Sequence, residues 1–284
     1  MNLSISSQQR KMTIEKAIQS VVKKFPFKGY MTSHSKARGI YSNIAKTVVH
    51  YLRPGSRILD FGSGPCDKTA VLQSLGFLCS AYDDLQDDWH LNPGNQEKII
   101  SFAMECGVNF KLATDRALPF EKNFFDMVML HSVIEHFHDS PRELLNDLLE
   151  LVKPGGLLFI TVPNAVNIRK RISVFFGRTN LPPFEEYYWS DPWRGHIREY
   201  VKTDLIKLAK YLNLELLEIR GCDHMLETRL SAFSQPVYLF VTSMFTGWKD
   251  CWLLVAKKKE GWLPKKTLPQ EELFQIFPNR RNWH

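Results

Sequence analysis

The sequence predicts an α/β fold: a mostly parallel sheet with helices on both faces. Three observations carry that reading. Short apolar runs alternate with stretches of helical periodicity between residues 40 and 165. The first run, Ile58 and Leu59, leads through Asp60 into a glycine turn, Gly62-Ser63-Gly64, and then into a helical pattern at Ala70, Val71 and Leu72. A second run, Phe77 to Tyr82, ends in two acids, Asp83 and Asp84.

In chain order, residues 1–12 show no pattern and are expected to lack structure. From Thr13, Ile14, Ala17, Ile18, Val21 and Val22 recur at helical spacing, and Pro26 ends the helix. A second helix covers Ile40 to Leu52, and Pro54-Gly55 turns the chain into the first strand. A helix from Gln96 to Cys106 precedes a third strand at Val108 to Ala113. A fourth strand, Phe125 to Leu130, runs into His131-Ser132-Val133-Ile134-Glu135-His136-Phe137. Leu144 to Val152 is an amphipathic helix, Lys153-Pro154-Gly155-Gly156 a turn, and Leu157 to Val162 a fifth strand. Beyond residue 202 come a helix (Thr203 to Leu214), a strand (Leu214 to Arg220) and an apolar helical stretch (Arg229 to Phe245) broken by Pro236. That stretch packs on the domain or forms a contact in a homodimer. Trp252 to Lys257 is the closing strand, and the tail from Gly261 is expected to be loosely held.

The chain has 284 residues, 44% hydrophobic and 24% charged, enough for one large α/β domain or for one domain with an insertion. No apolar run reaches the roughly 18 residues of a spanning helix. The start, MNLSISSQQRKMT, has no apolar signal segment, so a cytoplasmic protein is expected. The five cysteines, Cys66, Cys79, Cys106, Cys222 and Cys251, are scattered and form no C-x-x-C pair, which argues against a disulfide framework or a zinc site. The net charge of +7 suits phosphorylated substrates, nucleic acid or an anionic membrane face, or is simply a basic surface. Much of the excess lies in Lys257, Lys258, Lys259, Lys265, Lys266, Arg280 and Arg281.

A strand, a glycine turn and a helix N-terminus form a nucleotide-binding unit, because glycine admits close backbone approach and the helix offers unpaired N–H groups. The dinucleotide fingerprint asks for a third glycine where Asp67 stands, which weakens a nicotinamide or flavin reading. Asp83 follows Gly64 by 19 residues, a distance at which an acid accepts hydrogen bonds from both ribose hydroxyls of a nucleoside; the alternative is a turn aspartate. Leu85 to His90 either closes over the ligand or forms an acidic loop. Ligands of open α/β sheets bind outside the carboxyl ends of the strands, where Asp60, Asp83, Thr114 and His131 fall.

The ordered set LDFGSG, AYDD, LPF-x4-FDMV, HSVIEHF and LVKPGGLLFITVPN resembles the class I S-adenosylmethionine-dependent methyltransferases over about residues 40 to 165. The resemblance implies a Rossmann-like methyltransferase fold, with a seven-stranded sheet and an antiparallel final strand. It also implies S-adenosylmethionine as cofactor. Gly62, Ser63 and Gly64 would wrap its amino acid part, Asp60 would sit near its ammonium and Asp83, beside Asp84, would hold the ribose. Asp115, Arg116 and Leu118 would flank the adenine, and His131 would lie beside the methionyl portion. The family often has Gly-Asp-Ala before Leu-Pro-Phe; here Ala113-Thr114-Asp115 shifts the acid by one, leaving the adenine contact open between Thr114 and Asp115. The implied organisation is a helical lead-in at 1–39, a cofactor-binding core at 40–165, an acceptor-side insertion or lid at 166–202, the rest of the core at 203–260 and a tail at 261–284.

The acceptor is narrowed by absence and by the insertion. No Asn- or Asp-Pro-Pro-Tyr follows the fourth strand, and no cysteine is placed as a cytosine nucleophile, so nucleic acid is disfavoured. The acids of a magnesium-dependent catechol-type enzyme are missing at that strand end, so no metal is expected. Residues 163 to 203 mix Arg169, Lys170, Arg171 and Arg178 with Phe175, Phe176, Phe184, Tyr187, Tyr188, Trp189 and Trp193. Aromatic rings stack on sugar faces and arginines bind phosphates, as in methyltransferases of glycan and natural-product biosynthesis. The expected acceptor is therefore the hydroxyl of a small or lipid-carrier-linked glycan, as in polysaccharide biosynthesis, contacted by Arg169, Tyr188, Trp193, Arg198 and Tyr200. The alternative is a basic amphipathic face on the core or at a membrane surface. His196 is the first candidate for general base, since an unperturbed pKa of roughly 6.5 suits that task, and His136 is the second. Glu199 either orients a histidine or pairs with Arg198, the pairing being favoured.

Overall fold

The computed structural model describes residues 7–31, 39–114, 117–179, 181–224, 231, 233–268, 272 and 276, with residues 7–12 as backbone alone. Its centre is a seven-stranded sheet: β1 (Arg57–Phe61), β2 (Leu78–Asp83), β3 (Asn109–Leu112), β4 (Phe125–His131), β5 (Val152–Pro163), β6 (Leu214–Cys222) and β7 (Cys251–Lys258). The spatial order is β3-β2-β1-β4-β5-β7-β6. β3, β2, β1, β4 and β5 are parallel, while β7 runs antiparallel to both β5 and β6. The chain order reverses between β1 and β4, which opens a crevice at their carboxyl ends.

Helices cover both faces: α1 (Ser7–Lys24), α2 (Ile40–Tyr51), α3 (Asp67–Ser74), α4 (Asn95–Glu105), α5 (Arg142–Leu151), α6 (Ile168–Phe175), α7 (Phe184–Trp189), α8 (Lys202–Tyr211) and α9 (Gln235–Met244). The strand side chains alternate between two cores, with the alternation interrupted at the irregularities in β4–β5 and β6–β7 pairing. Ile58, Met127, Met129, Phe159 and Val255 join the core under α1 to α4, while Leu59, Val128, Leu130, Ile160 and Leu254 join the core under α5 and α8. Strands buried on both faces read as continuous apolar runs, which is why these segments stand out in the sequence.

Several boundaries differ from expectation. α1 begins at Ser7, six residues before the expected start at Thr13, and α3 begins at Asp67 rather than Ala70. Lys153 to Gly156 form a bulge within β5, whose register against β4 shifts between Phe125 and Met127. Pro236 lies in the first turn of α9 and starts that helix rather than breaking one, since the missing N–H has no partner to lose there. Residues 229, 230 and 232 of the apolar stretch lie outside the described residues. The tail is docked as far as Lys266: Trp262 is buried and its Nε1–H donates to the Leu212 carbonyl at 2.7 Å, and the Lys265 N–H donates to Asn146 Oδ1 at 2.7 Å. A tryptophan and a paired amide anchor a segment that composition alone reads as loose.

Lys258 is the least expected core residue. It is 4% exposed, and its ammonium donates to the Leu149 carbonyl at 2.8 Å, the Val152 carbonyl at 2.6 Å and Asn123 Oδ1 at 3.2 Å. It therefore neutralises the C-terminal end of α5, where helix carbonyls lack internal partners. Lys258→Met keeps the volume and removes the donors, so it should lower unfolding free energy by about 2 kcal/mol, read as a lower urea midpoint with an unchanged slope.

Candidate active site

The turn between β1 and α3 is held open by backbone conformation. Gly62 (φ +70°) and Gly64 (φ +54°) are left-handed, as is Cys66 (φ +60°). A side chain at Gly62 would also strike Val133, whose Cγ2 lies 2.5 Å from the Cβ position. The Gly62 N–H donates to the Tyr82 carbonyl at 2.8 Å, and the Gly64 N–H to Asp83 Oδ2 at 2.7 Å. Asp83 Oδ1 accepts from the Leu85 N–H at 2.7 Å, so two backbone donors fix this carboxylate at the end of β2. Ser63 is buried beside Cys66, with Oγ 3.7 Å from Sγ.

Asp60 is 1% exposed. Its Oδ2 accepts from the Thr69 hydroxyl at 2.5 Å, while Oδ1 has no partner among the described residues. Burial pushes its pKa up to about 7, against the pull of the Thr69 bond and of Lys68. At the start of α3, Asp67 accepts from Tyr41 Oη at 2.5 Å and from Lys68 Nζ at 3.0 Å. His131, at the end of β4, is buried with Nδ1 3.0 Å from the Thr161 hydroxyl and Nε2 unpartnered among the described residues. Burial holds its pKa well below the usual value, with Lys68 adding to the shift, so the ring is neutral.

Around the cleft, Asp84 and Asp87 face Arg194 at 3.5 and 3.7 Å, joining the loop after β2 to the insertion. Trp89 packs on Phe27 and Tyr30 with ring centroids 4.6 and 5.5 Å apart. Thr114 is exposed and Leu118 half-buried on the loop after β3, whereas Asp115 and Arg116 lie outside the described residues.

A second cluster is built where the 3-10 turn Ile134–His136 meets the segment before α8. The Ile197 and Arg198 N–H groups both donate to the Glu135 carbonyl, at 2.7 and 3.2 Å. The His136 Nδ1–H donates to the Arg194 carbonyl at 2.7 Å, and the His196 ring stands 4.9 Å away, centroid to centroid. His196 Nδ1 lies 2.8 Å from Glu199 Oε1, and Glu199 also binds Lys170. Burial raises the Glu199 carboxyl, but the bonds from His196 and Lys170 outweigh it and hold it below the usual range. Glu199 therefore orients the histidine, and Arg198 pairs instead with Asp204 at 3.3 Å, reversing the favoured sequence reading. Glu135 is fully buried, and neither carboxylate oxygen has a well-directed partner among the described residues. Burial pushes its pKa up to about 7, opposed in part by His196 and Ser132.

The five residues expected at the acceptor divide. Tyr188 is 62% exposed on α7, Arg169 is half-buried on α6, and Trp193 is half-buried with its ring lying over Gly195. Tyr200 is 5% exposed within the core and its hydroxyl donates to the Ile134 carbonyl at 3.4 Å, so it supports the turn rather than facing an acceptor. Arg198 is committed to the first turn of α8. Sequence reasoning misses Glu135 and Arg194 as site residues; the Glu135-His136 pair is visible in the sequence, but its burial is not.

A family model described as a methyltransferase domain matches residues 34–219. The chain belongs to this methyltransferase family. It is a class I S-adenosylmethionine-dependent methyltransferase domain, and S-adenosylmethionine is its cofactor. The ubiquinone/menaquinone biosynthesis C-methyltransferase UbiE of Vibrio cholerae is 30% identical over 112 residues, 38% of this chain and 41% of the relative. The UbiE of Shewanella sediminis is 32% identical over 112 residues, 38% of this chain and 43% of the relative. The matched segment thus spans about two fifths of these relatives. The fold is shared with an S-adenosylmethionine-dependent methyltransferase from Aquifex aeolicus (TM-score 0.51, 14% identity, 86% of this chain and 98% of that one). It is shared as well with the Burkholderia thailandensis 1,6-didemethyltoxoflavin-N1-methyltransferase, solved with 1,6-didemethyltoxoflavin and S-adenosylhomocysteine (0.51, 14%, 91% and 93%).

The methyltransferase cleft fits its cofactor chemically. An ammonium suits the unpaired oxygen of Asp60, hydroxyl donors suit the spare lone pairs of Asp83, and a side chain added at Gly64 would meet open space. Asp60 also lowers the stability of the cofactor-free protein. An acid whose folded pKa is raised to about 7, from roughly 3.9 when unfolded, loses stability as pH rises between those values. Cofactor-free Asp60→Asn protein should therefore melt above wild type at pH 8, with the gap closing towards pH 4, yet bind S-adenosylmethionine at least tenfold more weakly. Equal melting at pH 8 would show that the buried charge is compensated.

Proposed function

We propose that this methyltransferase moves a methyl group to a hydroxyl of a small or carrier-linked acceptor, with a sugar as the first acceptor class. The observation that carries the reading is the Glu135, His136 and His196 cluster, which stands beyond β4 on the acceptor side. Asp60 and the Gly62 to Gly64 turn hold the amino acid end of the cofactor, Asp83 holds its ribose, and the neutral His131 ring lies beside the methionyl portion. Thr114 and Leu118 border the adenine end. Bound there, S-adenosylmethionine supplies an already activated methyl group. The chain's task is then positioning, worth as much as roughly 7–11 kcal/mol, and handling of the acceptor proton at the histidine cluster.

The insertion supports an acceptor with apolar or aromatic bulk. Phe175, Phe176, Phe184, Tyr188 and Trp189 are all more than 60% exposed, beside Arg169, Arg171 and Arg178. Such a face suits a sugar on a lipid carrier presented at an anionic membrane surface. A second reading is favoured by the UbiE relatives, which are C-methyltransferases of ubiquinone and menaquinone biosynthesis. Removing a phenolic proton at the same cluster would activate a ring carbon instead of an oxygen.

Asp83→Ala should weaken S-adenosylmethionine binding at least tenfold by calorimetry, since hydrogen bonds to charged groups contribute about 1.5–3 kcal/mol. For the acceptor, labelled methyl transfer into fractionated extract should place label in glycan, nucleotide-sugar or lipid-carrier material. His196→Ala should lower that transfer by about 10²-fold or more with cofactor affinity intact. Label in a quinone fraction selects the second reading, and label confined to RNA or protein overturns both.

A further inference from the structure

We propose that Glu135, His136 and His196 form a site for one divalent transition-metal cation on the acceptor side of the cleft. Each offers a ligand atom, and the three atoms lie within 4.8 Å of one another. Bonds of about 2.0–2.1 Å in tetrahedral geometry place ligand atoms roughly 3.3 Å apart, so loading draws them inward by no more than about 1.5 Å.

The second observation is independent of that spacing. Glu135 is 0% exposed and both its oxygens lack a well-directed partner among the described residues. A buried carboxylate without a counter-charge is costly, and a bound cation supplies one. The histidines are prepared in the complementary sense. A backbone carbonyl only accepts hydrogen bonds, so the 2.7 Å contact to Arg194 puts the His136 proton on Nδ1. Glu199, held by Lys170, does the same for His196 at 2.8 Å. Both Nε2 atoms are left as lone-pair donors, with the outer nitrogen bonded to a carbonyl or carboxylate as in metal-binding histidines. The two segments are also fixed to each other, through the Ile197 and Arg198 bonds to the Glu135 carbonyl.

Two nitrogens and one oxygen suit Zn²⁺, Co²⁺ or Fe²⁺ better than Mg²⁺ or Ca²⁺, which prefer oxygen ligands. Three protein ligands leave a position open. Resting on the hydroxyl-acceptor reading, that position takes the acceptor oxygen, and the cluster then handles the acceptor proton through the cation rather than through a histidine base: the cation favours the ionised oxygen and the proton leaves to solvent. Sequence alone argues against a metal because the fourth strand ends without acids; the ligands come from the turn beyond it and from 60 residues further on.

The test is Co²⁺ titration of the full-length chain after chelator treatment, followed by visible absorption and without acceptor. Wild type should bind one equivalent, and Glu135→Gln and His196→Ala should each weaken binding at least tenfold while circular dichroism and cofactor affinity stay unchanged. Folded, cofactor-binding wild type that takes up no Co²⁺, or variants that bind it as tightly, would overturn the site. Because no acceptor is present, that failure leaves methyl transfer untouched, and a failure to find a hydroxyl acceptor leaves the titration untouched.

Discussion

The bond from the Gly64 N–H to Asp83 ties together the two strand ends on which the cleft depends. One oxygen of a single carboxylate fixes the glycine turn after β1, while the other fixes the start of the loop after β2. The adjacent strands are already in register, Asp60 against Ala81 and Phe61 against Tyr82. The turn therefore inherits its position from the sheet, and left-handed backbone at Gly62 and Gly64 lets it fold back without a clash. Val133, which blocks any side chain at Gly62, belongs to the segment after β4, so the third wall of the cleft is referenced to the same turn.

Against this rigid frame the site keeps polar groups that the fold itself does not satisfy. Asp60, His131 and Glu135 are each buried with at least one oxygen or nitrogen unpartnered among the described residues. Lys258 has three acceptors and Asn146 exchanges hydrogen bonds with Lys265, whereas His90, Thr242 and Trp252 also each keep one buried atom unpartnered among the described residues. An unpartnered atom is thus no mark of a ligand site by itself; what sets Asp60, His131 and Glu135 apart is that they gather at the ends of β1 and β4 and in the turn beyond β4.

The core of the fold was legible because doubly buried strands are continuous apolar runs and because glycine turns announce themselves. Asp60, Gly62, Gly64, Asp83 and His131 sit at strand ends as read. What escaped were features that arise only on packing. The anchoring of Trp262 depends on a carbonyl 50 residues away, and the start of α1 precedes its apolar stripe. Arg198 and Glu199 are neighbours in sequence, yet one turns to Asp204 and the other to His196, a choice made by the backbone before α8. Tyr200 looked like an aromatic acceptor contact, but lies on the inward side of the same segment.

That segment, from Trp193 to Tyr200, explains how a shared fold comes to act on a particular acceptor. Nothing in the sheet or the glycine turn distinguishes one acceptor from another. Selectivity must come from what is laid across the cleft, and this stretch is bonded to the frame at every step: the Arg194 and Trp193 carbonyls to His136 and His138, Ile197 and Arg198 to Glu135, and Tyr200 to Ile134. Its Glu199 reaches outward to Lys170 of α6, where the exposed aromatic face begins. The face of α6 is thereby connected, through the Lys170 and Glu199 ion pair, to His196 and the histidine pair beside the cleft. The insertion and the turn that carries Glu135 and His136 form a single bonded unit, and exchanging the insertion without its His196 and Glu199 would break the link from α6 to that turn.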